Sequence, residues 1–116
     1  MNIEVKHLED AKAVVRVAGR VDVETAEEFK NRLKDLAQYQ VLQVFVDITA
    51  VDFMDSSGLS AMVSGLKALR KHGGALILCG PQPQALKALR LTLLDRVFPI
   101  YGTLEEALEQ ASQHSR

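Results

Sequence analysis

Phe53-Met54-Asp55-Ser56-Ser57-Gly58-Leu59 sets an acid, two hydroxyls and a glycine between an apolar run and the start of an amphipathic one. Two kinds of chemistry suit that group. A side-chain oxygen of Asp55, Ser56 or Ser57 can cap a helix by accepting a free backbone amide of its first turn. The same turn carries amides and a partial positive charge that favour an anion, phosphate included. Gly58 lets the backbone approach something closely.

Other chemistries find little support around this group. A serine nucleophile in the esterase elbow needs glycine two residues before and two after it. Ser56 has Gly58 after it but Met54 before it. His7, His72 and His114 are the available bases, and none has an evident acid to orient it. Neither the phosphate-binding Gly-x-x-x-x-Gly-Lys-Ser/Thr loop nor Gly-x-Gly-x-x-Gly occurs. Asp22, Asp47, Asp52 and Asp55 all fall near strand ends, where caps and turns use the same residue type. With no Cys/His cluster at ligand spacing, no metal or other cofactor is expected.

The elements that must hold this group follow from periodicity. Ile3, Val5 and His7 alternate with Glu4 and Lys6 as in a half-exposed strand, and Ala13–Val17 reads as a second. The short polar Glu9-Asp10-Ala11-Lys12 makes the two a hairpin. Gly19 breaks the second strand. Thr25-Ala26-Glu27-Glu28 has the form of a capping box, with Thr25 accepting from the amide three residues on and Glu28 reaching back. Ala26, Phe29, Leu33, Leu36 and Ala37 then recur at helical spacing up to about Gln38. Val41–Ile48 is almost wholly apolar, as in a strand covered on both faces. Leu59, Met62, Val63, Leu66 and Leu69 define a second helix, with Arg70, Lys71 and His72 in its last turn and Gly73-Gly74 ending it.

Ala75–Cys79 reads as another internal strand. Pro83 opens a helix carrying Leu86, Leu89 and Leu93, and Phe98-Pro99-Ile100 is a short extended piece. Thr103-Leu104-Glu105-Glu106 is a second capping box, leading into a helix through Leu104, Ala107, Leu108 and Ala111. The order argues for an α/β domain with a mostly parallel sheet of four to five strands, an antiparallel N-terminal hairpin strand and about four helices. Residues 1–116 form one domain, with a core over about 3–111 and a frayed tail at 112–116. Three loops fall at the carboxyl ends of the strands: Gly19–Asp22, Ile48–Ser57 and Gly80–Pro83. Functional residues gather at such ends, so the loop holding Ser56 and Ser57 leads.

Composition sets the outer bounds. The chain has 116 residues, 15 acids against 14 bases and a net charge of −1. That balance offers no electrostatic argument for nucleic acid or an anionic membrane as a partner. No run approaches the length of a membrane-spanning helix, and Met1-Asn2-Ile3-Glu4 does not open a signal peptide. Cys79, the single cysteine, reads as a core residue in a reducing, cytoplasmic setting.

The stretch "VFVDITAVDFMDSSGLSAMV", followed by "KHGGALILCG", resembles the STAS-domain family, specifically the bacterial anti-sigma factor antagonists. Asp47, Phe53, Asp55, Ser56, Ser57, Gly58 and Leu59 match the family pattern in order. Gly19 and Asp22, in "GRVD", match a second signature. The resemblance runs from about Ile3 to Ala111. Two residues depart from it: Arg20 stands where the family often has Glu or a small polar residue, and Leu93 where it often has Gly.

The resemblance implies a partner switch. The protein is then a ligand and a substrate, not an enzyme. It binds an anti-sigma factor serine kinase through Arg20, Asp22, Asp55, Ser56, Ser57 and Gly58, and so releases a sigma factor. The kinase phosphorylates Ser56, with Ser57 as second choice, and this ends the complex. A serine phosphatase of the same pathway resets it. Asp22, Asp47 and Asp55 supply negative charge at that interface. The alternative within the same resemblance is a scaffold or accessory subunit of a stress-signalling or lipid-transport complex.

Overall fold

The computed structural model describes residues 1–114. Strands β1 (Asn2–Leu8), β2 (Lys12–Val21), β3 (Gln43–Met54), β4 (Ala75–Cys79) and β5 (Ile100–Tyr101) form a single sheet in the order β1-β2-β3-β4-β5. β1 pairs antiparallel with β2, and every other pairing is parallel. Helices α1 (Ala26–Gln38), α2 (Ser56–Arg70), α3 (Pro83–Leu91) and α4 (Leu104–His114) connect or follow the strands. This is the expected α/β architecture. α4 extends through His114, past the expected start of a frayed tail at Ser112, and the tail residues 115–116 lie outside the described residues.

The alternation along β3 explains the layering. Val44, Val46 and Ile48 face the larger core, which takes Phe29 and Leu33 from α1, Met62, Leu66 and Leu69 from α2, and Leu89 from α3. Phe45 faces the other way, onto Leu104 and Ala107 of α4 together with Val14, Ile77 and Cys79. A strand covered on both faces needs apolar residues at successive positions, as the sequence has. Gly65 lets α2 settle on Leu33, since a Cβ there would stand 2.8 Å from that side chain. Gly73, at φ +77°, and the Gly74 amide, donating to the Leu69 carbonyl at 2.8 Å, close α2 as expected. The helix itself stops at Arg70, so Lys71 and His72 follow its last turn.

Cys79 is fully buried beneath α4. That burial, with the Asp47 and Glu105 carboxylates adding to it, pushes the thiol pKa up to about 12. The free cysteine is therefore a protonated core side chain at neutral pH.

Several expectations are corrected. β3 does not end at Ile48 but runs on to Met54, paired with β2 across two register shifts. The same pairing carries β2 through Gly19 to Val21. The box at Thr25 does not form: its hydroxyl makes no cap bond to α1. At Thr103 the first half of the box does form, with the Glu106 amide donating to the hydroxyl at 3.1 Å. Leu93 is not on α3. It follows the helix in the left-handed region at φ +61°, with its side chain exposed.

A left-handed backbone strains a residue with a Cβ by about 1–2 kcal/mol, while glycine loses more freedom on folding by about 0.5–1 kcal/mol. Leu93→Gly should therefore raise stability by about 0–1.5 kcal/mol. The check is a urea melt, in which the midpoint moves to higher denaturant. A lower midpoint contradicts the strain.

Candidate functional site

β2 and β3 end side by side, with Arg20 opposite Phe53 and Val21 opposite Met54. The turn after β2 and the start of α2 are therefore neighbours, joined by the Asp55 amide donating to the Val21 carbonyl at 3.2 Å. This pairing brings "GRVD" to "DSSG".

Asp55 is the N-cap of α2, in an extended conformation, and its Oδ1 accepts the Ser57 amide at 2.9 Å. Its carbonyl accepts the Leu59 amide. Of the three candidates for the cap, the acid holds it. Ser56 is the first helical residue and is exposed, whereas Ser57 is half-buried. Among the described residues the Ser56 hydroxyl has no hydrogen-bond partner within the chain. The first turn of α2 contains no acidic residue.

Gly58 is buried, and the close approach expected there is to the protein's own core. A Cβ at this position would stand 2.6 Å from Met54 Cγ and 2.9 Å from Val21 Cγ1. The glycine thus seats the first turn of α2 on the paired strand ends.

The β2–α1 turn is built by Asp22 and Thr25. The Asp22 amide donates to Thr25 Oγ1 at 2.9 Å, and that hydroxyl donates to the Arg20 carbonyl at 3.1 Å. Asp22 Oδ1 accepts the Glu24 amide at 3.0 Å. Thr25 is engaged in the turn, which is why it does not cap the helix. Arg20 Nε meets Asp22 Oδ2 at 2.9 Å, and its guanidinium lies 4.0 Å from the centre of the Phe53 ring. Partial desolvation pushes the Asp22 carboxyl up, but the Glu24 amide, the Arg20 guanidinium and the Thr25 backbone outweigh it and hold the pKa below the ordinary carboxylate value.

Asp47 is not part of this group. It lies opposite Arg16 and Cys79, roughly 20 Å back along β3 at about 3.3 Å per residue. There it accepts the Thr49 amide and hydroxyl and faces Arg16 Nε at 3.6 Å. It therefore does not add the negative charge expected of it beside the serines. Among the described residues, no three His, Cys, Asp or Glu are placed to hold a metal ion.

A groove between α1 and α2 extends the site. It is lined by Val23, Glu27 and Lys30 on one side and by Ser56, Ser57, Ser60 and Ser64 on the other. Val23 is an exposed hydrophobic residue in the turn next to Asp22. Sequence reading missed Val23, Ser60 and Ser64. The spacing Ser56, Ser60, Ser64 was the available signal, since residues four apart share a helix face.

The sequence matches the STAS domain model over residues 2–107, and the chain belongs to the STAS domain family. It is 29% identical over 100 residues to the anti-sigma-B factor antagonist of Listeria monocytogenes, covering 86% of this chain and 88% of that one. A solved anti-sigma factor antagonist from Mycobacterium paratuberculosis superposes with a TM-score of 0.84 at 28% identity, covering 94% of this chain and 92% of the other. Unphosphorylated SpoIIAA, an anti-sigma factor antagonist 21% identical to this chain, shares the fold with a TM-score of 0.86 over 99% of this chain and all of its own.

Two expectations follow from the geometry. Asp55→Ala should cost about 0.5–2 kcal/mol, the range for a lost cap, whereas Ser56→Ala should stay within about 0.5 kcal/mol. Urea melts of the two variants giving the opposite order would place the cap on Ser56. In a carboxyl NMR titration, Asp22 should have its midpoint below the ordinary aspartate value, and Arg20→Ala should raise it. A depressed native pKa contributes stability that is present above the unfolded value and is lost as pH falls through the native one. Arg20→Ala should therefore reduce the acid sensitivity of folding that Asp22 contributes.

Proposed function

We propose that this protein is an anti-sigma factor antagonist that binds an anti-sigma factor serine kinase, so releasing a sigma factor, and is switched off by phosphorylation of Ser56. A serine phosphatase of the same pathway returns it to the binding form. The protein acts as ligand and substrate rather than as catalyst. One observation carries this reading: Asp55 caps α2, which leaves the Ser56 hydroxyl exposed and unbonded at the helix start. A serine engaged in capping would have to give up that bond before accepting a phosphoryl group. Ser57 is less accessible, which favours Ser56 between the two.

The electrostatics support a switch that leaves the fold intact. A phosphate adds about −1.5 to −2 charge at neutral pH. The helix start offers amides and a dipole that favour an anion, and the first turn has no acid of its own, although the Asp55 cap opposes the new charge. The phosphate therefore acts on the docking face formed by Arg20, Asp22, Asp55, Ser56 and Ser57, with the buried Gly58 backing them, and the groove beside them. A partner shaped for a neutral hydroxyl meets an anion that must lose water. That costs roughly 2–5 kcal/mol when the charge is unpaired. Arg20 is already engaged by Asp22 and Phe53, so answering the new charge requires it to leave them.

Incubation with the anti-sigma kinase of the same organism and ATP should place one phosphate on Ser56, as read by tandem mass spectrometry. In titration calorimetry with ADP present, Ser56→Ala should bind that kinase as wild type does, and Ser56→Asp much more weakly. Phosphate on Ser57 would move the site by one residue. If Ser56→Asp binds within about twofold of Ser56→Ala, roughly 0.4 kcal/mol, the charge switch is wrong and a passive scaffold is the better reading.

A further inference from the structure

β3 is longer than the strand beside it. β4 pairs with it only over Gln43–Asp47, so the segment from Ile48 to Met54 has a strand neighbour on the β2 side alone. An exposed strand edge needs partners for its amides and carbonyls. Two glutamines at the start of α3 supply them. Gln82 Nε2 donates to the Thr49 carbonyl at 2.8 Å. Gln84 does more: its Oε1 accepts the Met54 amide at 2.8 Å, and its Nε2 donates to the Met54 carbonyl at 2.8 Å. A side-chain amide has one donor side and one acceptor side, so it can satisfy both main-chain groups of one residue as a neighbouring strand would.

Met54 is also the residue on which the serine turn rests. It immediately precedes the Asp55 cap, its side chain is fully buried, and its Cγ fills the space that Gly58 leaves open. A continuous set of contacts therefore runs from Gln84 through Met54 to Asp55 and Gly58, on either side of Ser56. We propose that Gln84 is a positioning residue for the phosphoacceptor turn, setting the place of Ser56 from α3, an element outside the docking face. This rests on the reading of Ser56 as the phosphorylated serine. It predicts that the amide group matters, not merely the bulk of the side chain. A carboxylate has no donor for the Met54 carbonyl and repels it, so the paired contact with Met54 is lost.

The test compares wild type, Gln84→Ala, Gln84→Glu and Gln82→Ala by two measurements. The first is amide hydrogen exchange, which needs no partner. Exchange at Met54 and Ser57 should rise at least tenfold in Gln84→Ala and in Gln84→Glu, while Leu76–Leu78 of β4 stay within twofold as a control for global unfolding. Gln82→Ala, which removes a bond of the same kind from Thr49, should leave Ser57 unchanged. The second is phosphorylation by the anti-sigma kinase. Gln84→Ala should lose about fivefold or more in kcat/KM, Gln84→Glu should not restore it, and Gln82→Ala should match wild type. Exchange at Met54 and Ser57 within twofold of wild type in both Gln84 variants overturns the proposal. So does faster exchange with unchanged phosphorylation, which makes the clamp purely structural. If wild type itself is not phosphorylated on Ser56, the proposed function fails, and so does the role assigned here to Gln84. The exchange arm then still decides whether the clamp holds the turn.

Discussion

β3 has to satisfy two cores and then keep going. Over its first half it lies between β2 and β4, with Val44 and Val46 under the three-helix layer and Phe45 under α4. Over its second half it loses β4 but not β2, and it ends at Met54 directly opposite Val21. Everything at the site depends on that extension. It sets the end of β3 level with the end of β2, so the turn of one strand meets the helix start of the other. A β3 ending at Ile48 would leave "GRVD" and "DSSG" without a common edge.

The order of elements was legible because each core face is written in a plain period. Phe29 and Leu33, Leu66 and Leu69, and the run Leu76-Ile77-Leu78 lie where their spacing places them. The length of β3 was hidden by Thr49, Ala50 and Asp52, exposed residues that read locally as a turn. They stay in the strand because β2 continues beside them through two register shifts, and no local pattern reports that. Thr25 shows a different limit. It has the right type and spacing for a capping box, yet bonds within the turn before the helix, to Asp22 and Arg20, claim its hydroxyl. The serine turn was found as a place, while the division of labour within it was not. Three neighbouring oxygens were equally able to cap, and only the backbone direction at Asp55 decides among them. Gln84 carried no local signal at all, since its partner lies thirty positions earlier in the chain.

Arg20 and Asp22 give the surface of the β2–α1 turn a settled charge. The guanidinium is held between a carboxylate and an aromatic ring, an arrangement that suits arginine because its planar cation can stack and bond at once. The Asp22 carboxylate is tied in turn to the Glu24 amide. Exposed pairs of this kind add little to stability. They fix direction instead, holding the Arg20 guanidinium over Phe53 in a turn whose polar groups are already engaged.

Cys79 gives the molecule a built-in gauge of its own integrity. The sulfur lies between the sheet and α4, out of contact with solvent, and remains a thiol at neutral pH. Thiol reagents attack the thiolate, so the native protein should be inert to them twice over, by access and by protonation. Reaction then requires β4 and α4 to part. The rate of modification at Cys79 measures that opening from the face of the sheet opposite α1, α2 and α3, without any label placed near the serine turn.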